Sequence, residues 1–400
     1  MGICAAGMVC ACSMDGEYLV DGDGGYMKDG GYMAEDAAVG GDFGGEADPG
    51  SDPAGGNGQA GRVTAGEWND LDNWDFWGGL MTDESYSGMS AYWCFWTNNR
   101  VAVEVTDKEE KPVAGVKVSI SRNGNDIWSA VTDNLGRANC WAGMLQKESE
   151  AAGLKLTVNG KPVEAEPAVT GWDCPNGVSV NRVVVDAAPA ADKADIAFIV
   201  DATGSMGDEI DFLKEDLMDI LKKVEKDQGG VKFRTAALFY RDVDDEYITR
   251  ASNFSDNFST TVNFIGKQKA DGGGDYPEAV HTALEKGLQD LSWDTSAKTR
   301  IAFMLLDAPA HHQEDVIASL QKSIAKYAAN GIKIIPIAAS GVDKNAEFML
   351  RFFAVATGGT YVFITNDSGI GGDHIAASVG EYQVELLNEL IVRLIKKYTD

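Results

Sequence analysis

After Lys193 the chain alternates short apolar runs with longer amphipathic stretches, and this alternation limits the fold more than any other feature of the sequence. The runs Ile196–Val200, Thr235–Phe239, Ile301–Leu306, Ile332–Ile337 and Tyr361–Ile364 have the length and continuity of buried strands. Helical patterns lie between and after them, at Ile210–Val224, Glu278–Leu291, Asp315–Tyr327, Ala346–Ala356 and Tyr382–Lys397. In the last, Val384, Leu387, Ile391, Leu394 and Ile395 share one face. Strand–helix alternation predicts a doubly wound, Rossmann-like α/β domain over 194–400, with a parallel sheet and helices on both faces. Such sheets bind ligands where the strands end at their carboxyl side, so function is to be sought in the loops there.

Those loops are rich in oxygen donors. The first strand runs into Asp201-Ala-Thr-Gly-Ser205, Asp271-Gly-Gly-Gly-Asp-Tyr-Pro-Glu278 opens a helix, and the run Ile301–Leu306 leads into Asp307. Asp-x-Thr-x-Ser after an apolar strand resembles the first motif of the von Willebrand factor type A family, and the other two loops resemble its second and third. The resemblance covers about Asp192–Asp400 and implies a metal-ion-dependent adhesion site built from Asp201, Thr203, Ser205, Glu278 and Asp307. Carboxylates and hydroxyls without sulfur or nitrogen suit Mg²⁺ or Ca²⁺, and also Mn²⁺. In the family, one position on the ion is left for an acidic group of a protein partner. Asp208 and Glu209 fall where integrin-β-like relatives place ligands for an adjacent cation, and they equally suit the positive end of a helix. Asp242 and Asp275 offer a second adjacent pair, and His311 and His312 are expected at the rim, facing a partner. Tyr240–Asp242 and the two later loops also resemble a subgroup found in bacterial lipoproteins and beside α-kinases, but no phosphate loop with a paired lysine accompanies them here.

Upstream the pattern is different. Apolar and polar residues alternate at period two in Val101, Val103 and Val105 and again in Val116, Val118 and Ile120, with turn signals such as Asn123-Gly124 between runs. This predicts an all-β, Ig-like sandwich over 100–186, and Lys111–Val118 with Thr132–Ala138 resembles the carboxypeptidase-regulatory or Cna-B-like family. Its expected role is a spacer or second recognition surface. A linker is expected at 187–193, and a Trp-rich lead-in at 67–99 holds Trp68, Trp74, Trp77, Trp93 and Trp96, which suit core or hinge packing.

Residues 13–66 hold 16 glycines and 11 acids against Lys28 and Arg62, a composition expected of a disordered tether. Met1–Cys12 resembles the end of a bacterial lipoprotein signal peptide, with Val9-Cys10-Ala11 before the lipid acceptor Cys12, although the basic start of such a peptide is missing. The whole chain has 34 basic and 62 acidic residues, a formal charge of −28, which argues against nucleic acid and against charge-driven membrane binding. Membrane contact is expected only through the lipid anchor. The reading is therefore a non-enzymatic, metal-dependent protein-binding module displayed at the bacterial cell envelope. A metal-independent structural subunit of an envelope assembly and a metal-assisted hydrolase are the alternatives, the second weakened by the lack of a recognisable catalytic cluster.

Overall fold

A computed structural model describes residues 63–147, 150–366, 374 and 376–400. The lipobox-like segment with Cys12, and the tether up to residue 62, lie outside the described residues. Thr64–Trp68 forms a strand, β1, so the last residues of the segment expected to be a tether are strand.

Two helices follow, α1 (Trp74–Thr82) and α2 (Glu84–Trp93). Seven short strands come next: β2 (Asn98–Thr106), β3 (Lys117–Arg122), β4 (Asn125–Val131), β5 (Arg137–Gly143), β6 (Lys155–Val158), β7 (Lys161–Pro162) and β8 (Val180–Val184). They make a three-stranded sheet, β5-β2-β8, and a four-stranded one, β4-β3-β6-β7. Asn123 and Gly124 both take positive φ between β3 and β4, the two-residue hairpin turn that an Asn-Gly pair favours. Val101, Val103, Val105, Val118 and Ile120 are buried, as the period-two pattern requires.

The α/β part contains β9 (Ala191–Asp201), α3 (Gly207–Asp227), β10 (Lys232–Tyr240), β11 (Thr249–Ser255), α4 (Phe258–Ile265) and α5 (Val280–Gln289). It continues through β12 (Ala297–Leu306), α6 (Glu314–Ala329), β13 (Lys333–Ala338), α7 (Lys344–Thr357), β14 (Tyr361–Ile364), β15 (Val384–Leu386) and α8 (Leu387–Thr399). The sheet has eight strands in the order β11-β10-β9-β12-β13-β14-β1-β15. Alternate residues of each central strand enter opposite cores: Phe198 and Val200 join Ile210, Leu217 and Leu390 of α3 and α8, while Ile199 joins Leu284, Leu320 and Phe352 of α5, α6 and α7. Continuous apolar runs are what strands covered on both sides demand.

Several expectations need correction. The sheet is mixed: β11 pairs antiparallel with β10, and β1 pairs antiparallel with both β14 and β15. A strand that precedes the small sheets in sequence thus completes the large one, and β9 begins inside the segment expected to be a linker. Val384–Leu386 is strand, so the last helix starts at Leu387 rather than Tyr382. Nor are the small sheets a detached spacer. Their core residues Val103, Trp128 and Trp141 share one buried cluster with Phe348 and Phe352 of α7, joined by Trp74, Trp77 and Trp93. Phe95 stacks on Phe352 with ring centroids 3.7 Å apart.

Buried charge secures the same junction. Arg351 of α7, fully buried, donates to both carboxylate oxygens of Asp70 at 2.9 and 2.5 Å and to the Tyr86 hydroxyl at 3.1 Å. It lies 5.1 Å over the Trp77 ring. A buried bidentate pair of this kind is costly to break from one side, because the remaining charge has no water. Asp343 caps α7 by accepting from the Ala346 N–H at 2.7 Å, and Gly358 ends it in the left-handed region.

Candidate metal centre

Three loops meet at the carboxyl ends of β9 and β12. Asp201, the last residue of β9, accepts on Oδ1 from the Thr203 amide at 2.9 Å and the Thr203 hydroxyl at 2.7 Å, which fixes the turn into α3. Backbone bonds stitch the second loop to the first: Asp271 N–H donates to the Ala202 carbonyl and Gly204 N–H to that of Gly272. Glu278 N–H donates to the Pro309 carbonyl, which ties the second loop to the third, just beyond Asp307. Glycine is required where the loops touch. Gly273 has φ +75°, and a Cβ there would lie 3.1 Å from Glu278 Oε1 and 3.2 Å from Thr203 Cβ. The Asp245 carboxylate accepts from the Gly273 amide and holds this turn down.

The side chains this builds are buried acids. Asp201 is 0%, Glu278 4% and Asp307 6% exposed. Each keeps one buried oxygen without a hydrogen-bond partner: Asp201 Oδ2, Glu278 Oε2 and Asp307 Oδ1. Desolvation, then the neighbouring Asp307 carboxylate, pushes Asp201 up to about 7. Desolvation, then Asp201, Asp242 and Asp307, pushes Glu278 up to about 9. Burial raises Asp307 too, opposed by a hydrogen bond from Ser205. No lysine or arginine pairs with these three among the described residues; the buried Arg241 donates instead to the carbonyls of Ala202 and Lys269. Orphaned carboxylate oxygens that repel one another fit a divalent cation, and the hydroxyls of Thr203 and Ser205 stand in the same turn.

The other residues singled out in the sequence separate into distinct settings. Asp242, Asp275 and His311 come together, one ligand atom of each within 4.8 Å of the others, with His311 Nε2 2.7 Å from Asp242 Oδ1. Sequence reasoning had the two aspartates as a pair but placed His311 only at the rim. Glu209 is 1% exposed and accepts from Ser340, and burial followed by the Asp307 charge raises it to about 7. Asp208, beside it in the first turn of α3, is exposed. His312 turns away from the centre: it stacks on Tyr92 of α2 with ring centroids 3.5 Å apart, its Nε2 2.7 Å from the Tyr92 carbonyl. The sequence reading missed Tyr240, fully buried and raised far above its ordinary pKa by desolvation and the charges of Asp201, Glu278 and Asp307. It also missed Asp245, which no strand or helix pattern marks.

The α/β sheet with helices on both faces agrees with the family that its sequence matches. Residues 195–351 match the von Willebrand factor A domain, which supports such a domain there. The chain is 34% identical over 130 residues to a putative ariadne-like RING finger protein of Acanthamoeba polyphaga mimivirus, covering 32% of this chain and 12% of that protein. It is 27% identical over 169 residues to the alpha-protein kinase vwkA of Dictyostelium discoideum, covering 42% and 26%. It therefore spans a minor part of the length of both relatives. Among solved structures, proximal thread matrix protein 1 from the mussel byssus aligns over 52% of this chain and 45% of its own, at 14% identity and TM-score 0.31. The pilus adhesin SpaC from Lactobacillus rhamnosus GG aligns over 52% and 30%, at 13% identity and TM-score 0.35.

Proposed function

We propose that the von Willebrand factor A domain is a divalent-cation-dependent protein-binding module. Asp201, Thr203, Ser205, Glu278 and Asp307 would hold Mg²⁺ or Ca²⁺, and an acidic group of the partner would complete the ion's shell. The observation that carries this reading is the set of three orphaned oxygens on buried, mutually repelling carboxylates. A bound cation removes the repulsion and turns an unfavourable cluster into an attachment point for one more carboxylate. The matched stretch is a minor part of two relatives bearing different names, a RING finger protein and a protein kinase, which suits a portable binding module better than a catalytic one. A non-enzymatic role follows from the same reading.

The finer parts of the proposal rest on sequence. The small sheets would be an Ig-like sandwich, and lipidation of Cys12 would display the module at a bacterial envelope. Differential scanning calorimetry of the full chain, with EDTA or with millimolar Mg²⁺ or Ca²⁺, tests the metal. A rise in melting temperature that disappears in Asp201→Ala is expected; identical melting with and without the ions defeats the reading. Binding partners recovered by crosslinking equally well in EDTA would favour a metal-independent structural subunit instead.

A further inference from the structure

At the end of the sheet opposite the acidic loops, the amino ends of β12 and β13, the end of α8 and the β5-β2-β8 sheet enclose a cavity of about 310 Å³. The chain carries a net charge of −28, yet seven of the lining residues are Lys or Arg and three are Asp or Glu. Four of these cations have carboxylate partners. Lys333 lies 3.2 Å from Asp133, Arg182 3.3 Å from Glu104, Lys397 3.3 Å from Glu67 and Lys298 3.4 Å from Asp192. The other three, Arg100, Arg137 and Arg300, have no carboxylate within ion-pair distance among the described residues, and the exposed Asp72 is the one lining acid left over.

Two of those three are buried. Arg100, on β2, is 7% exposed; it donates to Asn139 Oδ1 at 2.8 Å and the Leu71 carbonyl at 2.9 Å, and its guanidinium lies 5.0 Å from the centre of the Trp74 ring. Arg300, on β12, is 4% exposed and donates to the carbonyls of Asn330, Asp294 and Ala297. Desolvation is the largest influence on both and lowers both, Arg100 to about 10. These partners orient the guanidinium planes, while the carboxylates that act on them, Asp72 for Arg100 and Asp195 and Asp294 for Arg300, stay beyond ion-pair distance. Elsewhere in the molecule a buried arginine is neutralised directly, as Arg351 is by Asp70. Two buried guanidiniums without a direct carboxylate partner, lining one cavity from two different sheets with the exposed Arg137 as a third cation, have the chemistry of an anion site.

We propose that this cavity binds a small multivalent oxyanion, a phosphate ester or a polycarboxylate, with Arg100 and Arg300 as its anchors and Arg137 at its rim. The volume accommodates a ligand the size of pyrophosphate or citrate. Because the anchors belong to different sheets, the anion also bridges the small sheets to the large one. This site is separate from the candidate metal centre and does not depend on it.

Isothermal titration of the full chain with pyrophosphate and with citrate, at constant ionic strength in resin-treated, chelator-free buffer, tests the proposal and separates phosphate from carboxylate ligands. Saturable one-to-one binding of at least one anion is expected, lost in Arg100→Met and weakened about tenfold or more in Arg137→Glu. Asp201→Ala, which removes the metal reading, leaves this binding unchanged. Lys222→Glu, an exposed reversal outside the cavity lining, also leaves it unchanged. If circular dichroism finds Arg100→Met unfolded, the exposed reversals Arg137→Glu and Arg182→Glu decide. No saturable heat with either anion overturns the proposal, as does binding that survives both rim reversals or falls equally in Lys222→Glu.

Discussion

The two ends of the large sheet carry opposite kinds of unfinished electrostatics. At the carboxyl ends of β9 and β12, Asp201, Glu278 and Asp307 are buried acids with no lysine or arginine partner among the described residues. Around the amino ends of β12 and β13, Arg100 and Arg300 are buried cations with no carboxylate within ion-pair distance among the described residues. By contrast, Arg351 and Asp70 form a buried pair that is finished, with the Tyr86 hydroxyl as a further acceptor. A finished pair contributes cohesion, and an unfinished cluster trades cohesion for affinity toward a missing charge. Net charge conceals this division, since −28 describes neither end.

Removing a charge should therefore have opposite effects in the finished and unfinished places. Arg351→Met leaves Asp70 buried without its cation and is expected to cost about 3–5 kcal/mol in chemical denaturation. A cost below about 1 kcal/mol would erase the contrast. At the acidic end, Asp201→Ala should abolish an ion-dependent stabilisation of about 2.7 kcal/mol at a hundredfold excess of ion over its dissociation constant. Glu278→Gln, by contrast, should raise the stability of the metal-free chain at pH 8 by about 1–2 kcal/mol while weakening its response to ions. Destabilisation by Glu278→Gln in EDTA would mean that the cluster is not strained.

Acidity gives a subtler test. Asp201 and Glu209 are raised to about 7 and Glu278 to about 9, all above their unfolded values. Between roughly pH 4 and 9 the folded metal-free chain holds protons that the unfolded chain has released. Its stability from these groups is fullest below about pH 4 and declines as pH rises through the folded values. Melting temperature in EDTA should accordingly fall from pH 5 to pH 9, and saturating Mg²⁺ or Ca²⁺ should flatten that slope. An effect of similar size to that of Glu278→Gln but opposite sign is expected from Gly273→Ala in denaturant melts, where a positive φ and a crowded Cβ cost about 1–2 kcal/mol and loosen the turn beside Glu278.

Much of the α/β part was legible because a buried parallel strand must be apolar on both faces; all five runs read as strands lie within β9, β10, β12, β13 and β14 or at their edges. The oxygen-donor loops were legible for a similar reason, since their positions follow from where the strands end. What escaped was short or non-local. β1 is five residues long, with no periodicity of its own, and it becomes a strand only because β14 and β15 leave room between them. The pattern of Val384–Leu386 continues the α8 helix on paper, yet β1 recruits it into the sheet. His312 stands beside His311 in sequence but is drawn to Tyr92, because a stacked ring and a carbonyl acceptor lie on α2.

By itself, then, the sequence determined the five apolar strands of the α/β part, most helices and the loops that bear oxygen donors, because hydrophobic period and loop chemistry are local properties. Only tertiary structure decided how charges were matched. Asp70 and Arg351 are 281 residues apart, Arg100 and Arg300 lie on different sheets, and Asp242 meets His311 across 69 residues. Burial removes the water that would otherwise screen each charge, so its meaning depends on whichever partner the fold brings near.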